Sequence, residues 1–140
     1  MKFNGLIPEL SVSSISKSKF FYIDIIGFDL EYEREEDKFA FVSLGEAQIM
    51  LEEINGYWNT GELQYPFGRG INFQINTDDI CEITNKLKLN NINLFRDIME
   101  NHYKCNGEVI VEKEILVQDP DGYLLRFSQT KKQLDNNSNL

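Results

Sequence analysis

The strongest constraint in this sequence is that the pattern of its first half returns in its second. Leu10, Val12 and Ile15 recur as Ile75, Thr77 and Ile80, at a constant offset of 65 residues. In both places an alternating apolar run ends in a polar pair and is followed by apolar residues at helical spacing. Ser13-Ser14 supplies the first helix cap and Asp78-Asp79 the second, with Glu82 completing a capping-box-like pair with Asp79. Each half reads strand, helix, then three strands. A period this long signals a duplicated module rather than a solenoid. The expected fold class is α+β: two βαβββ modules forming a curved, cup-shaped, mainly antiparallel sheet with helices on the outside.

The spacing predicts a helix from Ile15 to Ile25, ended by Gly27. Strands follow at Phe28 to Glu33, Phe39 to Leu44 and Ala47 to Glu53, with a charged turn at Arg34-Glu35-Glu36-Asp37. The second half predicts strands at Ile71 to Thr77, Asn93 to Met99, Val109 to Val117 and Tyr123 to Ser128, the last opened by the Asp119-Pro120-Asp121-Gly122 turn. The reading is one domain over 1–130, with module one at about 5–54, a linker at 55–70, module two at 71–130 and a polar, frayed tail at 131–140. The linker carries Tyr57, Trp58, Tyr65 and Phe67 among its glycines. Two readings stay open for these rings: a binding loop, or a crossover that covers the core.

Alternation assigns faces. Leu10, Val12, Ile49 and Leu51 in module one point toward its helix, as do Phe73, Ile75, Leu125 and Phe127 in module two. Ile7, Glu9, Ser11, Gln48, Met50 and Glu52 then face the other way, as do Asn72, Gln74, Asn76, Arg126 and Ser128. The second face is poor in Lys and rich in Asn, Gln, Ser and Met. That composition suits a partly enclosed, hydrogen-bonding cup, against the alternative of a plain solvated sheet face. The run Phe39 to Leu44 is apolar on both sides, so alternation alone does not say which face lines the cup.

With 14 basic and 23 acidic residues, the net charge of −9 disfavours nucleic acid and anionic membrane as partners and favours a cationic ligand. No apolar run reaches the length of a membrane span, and MKFNGLIPEL has no long apolar stretch of the signal-peptide kind. Cys81 and Cys105 show no CxxC spacing, so no zinc pattern or disulfide framework is read. A cytoplasmic location is the expectation.

Three segments together carry a family resemblance: the paired βαβββ order, Lys19-Phe20-Phe21-Tyr22 followed by Ile26-Gly27-Phe28, and Asp119-Pro120-Asp121-Gly122-Tyr123 before the last strand. Over about residues 5 to 130 the chain resembles the vicinal oxygen chelate superfamily, which includes glyoxalase I, extradiol dioxygenases, and fosfomycin and bleomycin resistance proteins. Metal-dependent members carry a ligand near the start of each half's first strand and a Glu on each half's last strand. Carried over by position, those sites are Ile7 and Asn72, and Met50 and Arg126. None is an ordinary divalent-metal donor, so no metal and no cofactor is expected. His102, the single histidine, lies outside these positions.

What the resemblance then implies is a metal-free member of the bleomycin resistance type: a homodimer that sequesters a bleomycin-like or other cationic, aromatic-bearing small molecule in a dimer cleft. Trp58, Phe41 and Tyr103 are the stacking candidates. Asn72, Gln74, Arg126 and Ser128 are candidate hydrogen-bonding groups, with Met50 beside them, and Glu9 and Glu52 supply negative charge or pair with Arg126. The alternatives are a metal-dependent glyoxalase- or dioxygenase-type enzyme with its metal site elsewhere, or a ligand sensor on the same fold.

Overall fold

Ser14 opens the first helix as expected, its Oγ accepting from the Lys17 amide at 3.3 Å. The helix α1 (Ile15–Lys19) is short, however, and runs on as a π-helical segment over Phe20–Ile26. The wider turn lets Phe21, Tyr22, Ile25 and Ile26 all bury. Gly27 stops it in the left-handed region (φ 103), where a side chain is strained, and the amides of Gly27 and Phe28 both donate to the Tyr22 carbonyl.

In this computed structural model residues 1–134 are described. Module one is completed by β1 (Glu9–Val12), β2 (Asp29–Arg34), a 3₁₀ turn over Glu35–Asp37, β3 (Phe39–Leu44) and β4 (Ala47–Glu53). Module two comprises β5 (Asn72–Asn76), α2 (Ile80–Leu89), β6 (Arg96–Cys105), β7 (Glu108–Gln118) and β8 (Leu124–Leu134). The strands form two four-stranded sheets, in the order β1-β4-β3-β2 and β5-β8-β7-β6. Each is mixed: β1 runs parallel to β4 and β5 parallel to β8, and the remaining pairs are antiparallel.

Module two is longer than its sequence pattern suggested. β6 extends to Cys105, carrying His102 and Tyr103 on a strand, and β8 extends to Leu134, paired with Glu108. Backbone pairing along a long antiparallel hairpin holds this polar stretch as strand although its composition reads as tail. The rest of the expected tail, 135–140, lies outside the described residues.

One core serves both modules. Leu10, Val12, Ile49 and Leu51 join Ile75, Leu125, Phe127, Ile115 and Val117 in a single buried cluster with the helix residues Tyr22, Ile25, Ile80, Ile83 and Leu87. The turn before β8 fastens the halves. Asp119 Oδ2 accepts from the Tyr22 hydroxyl at 2.7 Å, and its Oδ1 accepts from the amides of Asp121 and Tyr123. Asp121 Oδ2 accepts from the Ser13 amide at 3.0 Å, and the Tyr123 hydroxyl donates to the Ser11 carbonyl at 2.9 Å. Gly122 (φ 92) is required twice over, since a Cβ there would lie 2.5 Å from Pro66 Cβ. Of the linker rings, Phe67 is buried in the core while Tyr57, Trp58 and Tyr65 are exposed. The two readings of the linker thus divide between its residues.

Burial pushes the Asp119 carboxyl up to about 6, against three hydrogen bonds that favour its charged form. A raised folded-state value means stability that is full at low pH and lost as pH climbs through about 6. Asp119→Asn removes this titration. Urea unfolding at pH 4 and pH 7 is expected to show the wild type losing up to about 3 kcal/mol relative to Asp119→Asn across that interval. Asp119→Ala, which strands the Tyr22 hydroxyl and two amides, is expected to cost about 2–4 kcal/mol.

Candidate functional site

Each sheet turns its second face away from the shared core. In module one, pairing aligns the side chains of this face in rows. Ser11, Glu52, Phe39 and Arg34 form one row, and Glu9, Met50, Phe41 and Tyr32 form the next. This settles the face of the third run: Phe39 and Phe41 point away from the shared core, while Ala40 and Val42 sit on the helix side. The rings pack on one another, Tyr32 lying 5.7 Å from Phe39 and 5.4 Å from Phe41 between centroids, and the Arg34 guanidinium sits 4.0 Å over Phe39. Glu9 is pushed up chiefly by burial and then by Glu52, with Arg34 opposing. Glu52 also accepts from the Asn55 amide group at 2.8 Å.

In module two the corresponding rows are Gln74, Arg126, Leu116 and Arg96, then Asn76, Ser128, Glu114 and Met99, with Asn72 beside Leu124. Arg126 donates to Glu114 at 2.9 Å and to Asn72 Oδ1 at 3.2 Å. That overturns its expected pairing with Glu9 or Glu52: Glu114 lies across the adjacent strand, only 5% exposed, and engages the guanidinium first. Glu112, next on the same face, is pushed up by burial and then by Glu114. Tyr103 is half-exposed on β6, on the face that carries Arg126. Ser128 is fully buried, and its Oγ has no hydrogen-bond partner among the described residues.

The structure therefore gathers the expected residues into two sets. Glu9, Phe41, Met50 and Glu52 share one face, and Asn72, Gln74, Arg126, Tyr103 and Ser128 share the other. Trp58 joins neither; it projects from the linker, packed edge-on against Tyr57 at 4.6 Å. Sequence reading missed Tyr32, Arg34 and Phe39 in module one, and Glu112 and Glu114 in module two. The alternation of Glu112 and Glu114 on one face of a largely apolar strand, with Lys113 on the other, was a usable signal for the last two. A crevice of about 530 Å³ lies between the start of α2 and the end of β3, bordered by Asp79, Lys86, Gly27 and Leu44 and reaching Asn76 and Ser128 of the module-two face.

The four positions that would hold a metal do not fit one. Met50 lies between Glu9 and Phe41 in its row, and Arg126 puts a fixed guanidinium, already bound to Asn72 and Glu114, at another. Among the described residues no three His, Cys, Asp or Glu side chains form a metal-holding group.

Residues 7–127 match the family model described as the Glyoxalase/Bleomycin resistance protein/Dioxygenase superfamily. The chain belongs to this superfamily. A probable lactoylglutathione lyase from Synechocystis sp. is 28% identical over 132 residues, covering 90% of this chain and 95% of that protein. Among solved structures, TioX from Micromonospora sp. ML1 superposes with a TM-score of 0.69 at 12% identity, covering 91% of this chain and 98% of its own. A fosfomycin resistance protein from Listeria monocytogenes gives 0.59 at 20% identity, covering 91% of each. At these identities the structural likenesses establish the superfamily fold alone. Among the described residues no helix is long and apolar enough to cross a membrane.

The Arg126–Glu114 pair yields a direct test. Arg126→Met leaves a buried carboxylate without its partner and is expected to cost about 2 kcal/mol, below the range for fully buried pairs because the guanidinium is about one-third exposed. The double variant Arg126→Met/Glu114→Leu is expected to recover most of that loss in urea unfolding.

Proposed function

We propose that this superfamily member binds a bulky, cationic, aromatic-bearing small molecule of the bleomycin kind and holds it without transforming it. The observation that carries the reading is chemical. Ile7, Met50, Asn72 and Arg126 stand where metal-dependent members carry their donors, so the Lewis acid of those members has no seat here. The module-one face offers stacked rings with Glu9 and Glu52 among them, and the chain's net charge of −9 draws a cation inward. The module-two face offers Asn72, Gln74 and Arg126 for hydrogen bonds.

The two faces do not engage each other's charged groups. Arg126 is held by Glu114 and Asn72 of its own module, and Glu9 responds to Glu52 and Arg34 of its own. We therefore infer a homodimer in which the module-one face of one copy meets the module-two face of the other, with the ligand between them. Both cysteines are free and exposed, in keeping with a cytoplasmic protein.

The likeness to a probable lactoylglutathione lyase favours a second reading, an enzyme of that kind. The two readings part cleanly. Metal-free bleomycin is expected to give saturable heat, with a dimer in sedimentation at micromolar protein. Zn²⁺ and Ni²⁺ are expected to leave the melting temperature unchanged and to support no lactoylglutathione formation. Stoichiometric metal that survives dialysis, together with turnover, would establish the enzyme instead.

A further inference from the structure

Phe39 and Phe41 are 4% and 0% exposed, yet neither belongs to the shared core. They lie on the opposite face of β3, which the sheet alone would leave open to water. Tyr32 packs against Phe41 from β2, and from outside the sheet what covers Phe41 is the segment preceding β1. The Phe3 ring stacks on Phe41 with 5.5 Å between centroids and 25° between planes. Next to it the Asn4 amide donates to Gln48 Oε1 at 2.7 Å, Gln48 Nε2 donates to the Lys2 carbonyl at 2.7 Å, and Asn4 Nδ2 donates to the Glu46 carbonyl. The segment crosses the face over the row of Ser43 and Gln48 and reaches the row of Met50 and Phe41.

This cover is lightly held. It has no regular secondary structure, and Phe3 is itself 54% exposed. A cavity of about 270 Å³ remains between it and the strands, bordered by Lys2, Asn4, Glu31, Ser43 and Gln48. The contacts it makes are those a planar aromatic ligand would make: a ring parallel to Phe41, and polar groups on the amide of Gln48.

We propose that residues 2–7 form a displaceable strap over the module-one face, with Phe3 standing in for a ligand's aromatic ring. The strap closes the apolar face when no ligand is present, and a ring with polar or cationic substituents enters by replacing Phe3 on Phe41. This deepens the binding reading above, on which the ligand's role rests; the strap itself does not depend on it. A face masked by its own chain for most of the time binds more weakly by the fraction of time it is open.

The test uses Nile red, a neutral dye that reports exposed apolar surface, on the wild type, Phe3→Ala and a deletion of residues 2–5. Circular dichroism and melting curves verify that each remains folded. Dye fluorescence is expected to rise severalfold in the deletion and by an intermediate amount in Phe3→Ala. If fluorescence stays level or falls in folded protein, the strap is refuted, whether or not bleomycin binds. A second reporter, Phe3→Trp in a Trp58→Phe background, is then titrated with metal-free bleomycin. Its emission is expected to shift to the red as the ring leaves Phe41, and the deletion is expected to bind about tenfold more tightly than the wild type. Weaker binding by the deletion would make the segment part of the site wall and overturn the proposal. A dye response with no bleomycin response would uphold the strap and count against the ligand alone.

Discussion

The buried carboxylate of Asp119 is the point on which the two halves of the molecule are hung. One oxygen receives the Tyr22 hydroxyl from the first helix; the other organises the turn through the amides of Asp121 and Tyr123. That turn then reaches the start of the first helix through Asp121 and Ser13, the end of β1 through Tyr123 and Ser11, and the linker through the Phe67 amide and the Asp121 carbonyl. A carboxylate so enclosed is costly in its charged form, and its upward displacement expresses that cost. The fold bears it because the turn and Tyr123 thereby bind the Ser11–Ser13 segment and Tyr22 of module one, together with the linker, to the last strand of module two.

Once the halves are fixed through their helix sides, each sheet has one face committed to the shared core and one left over. Both candidate faces follow from that arrangement. The two have diverged in chemistry although they descend from one pattern. Module one shows rings flanked by acids, and module two shows amides around a guanidinium held by a buried carboxylate. Of the aliphatic, thioether, amide and guanidinium groups at the four positions, only the Asn72 amide oxygen is of a kind that ligates a hard divalent cation, and it already accepts from Arg126.

The halves have diverged in length as well. The offset of 65 residues between the first strands has become 76 between Met50 and Arg126. The difference resides in the long β6–β7–β8 meander, whose strands run to 10 or 11 residues against 6 or 7 for β2, β3 and β4. Composition concealed this extension. His102, Tyr103 and Lys104 look like a polar loop, but opposite Val111, Ile110 and Val109 they take their place in a ladder, where pairing rather than hydropathy decides the structure.

The duplication, the strand–helix order, the inward faces of β1, β4, β5 and β8, both helix caps and the Gly27 stop were all determined by local pattern. They follow from side-chain period and capping chemistry, which act within a few residues and are written in the sequence. Alternation also gave Glu9, Met50, Glu52, Asn72, Gln74, Arg126 and Ser128 the strand faces they occupy, because it needs no knowledge of the partner strand, but it left Phe41 open and gave Tyr103 no face. Only the tertiary structure decided who meets whom: that Arg126 belongs to Glu114 rather than Glu9, that Phe39 and Phe41 turn away from the core, that Trp58 stands apart from both faces, and that Phe3 lies across Phe41. Each of these depends on strand register or on a contact between segments far apart in the chain. A contact of that kind is selected by geometry and burial in competition with many similar alternatives, so no local pattern encodes it.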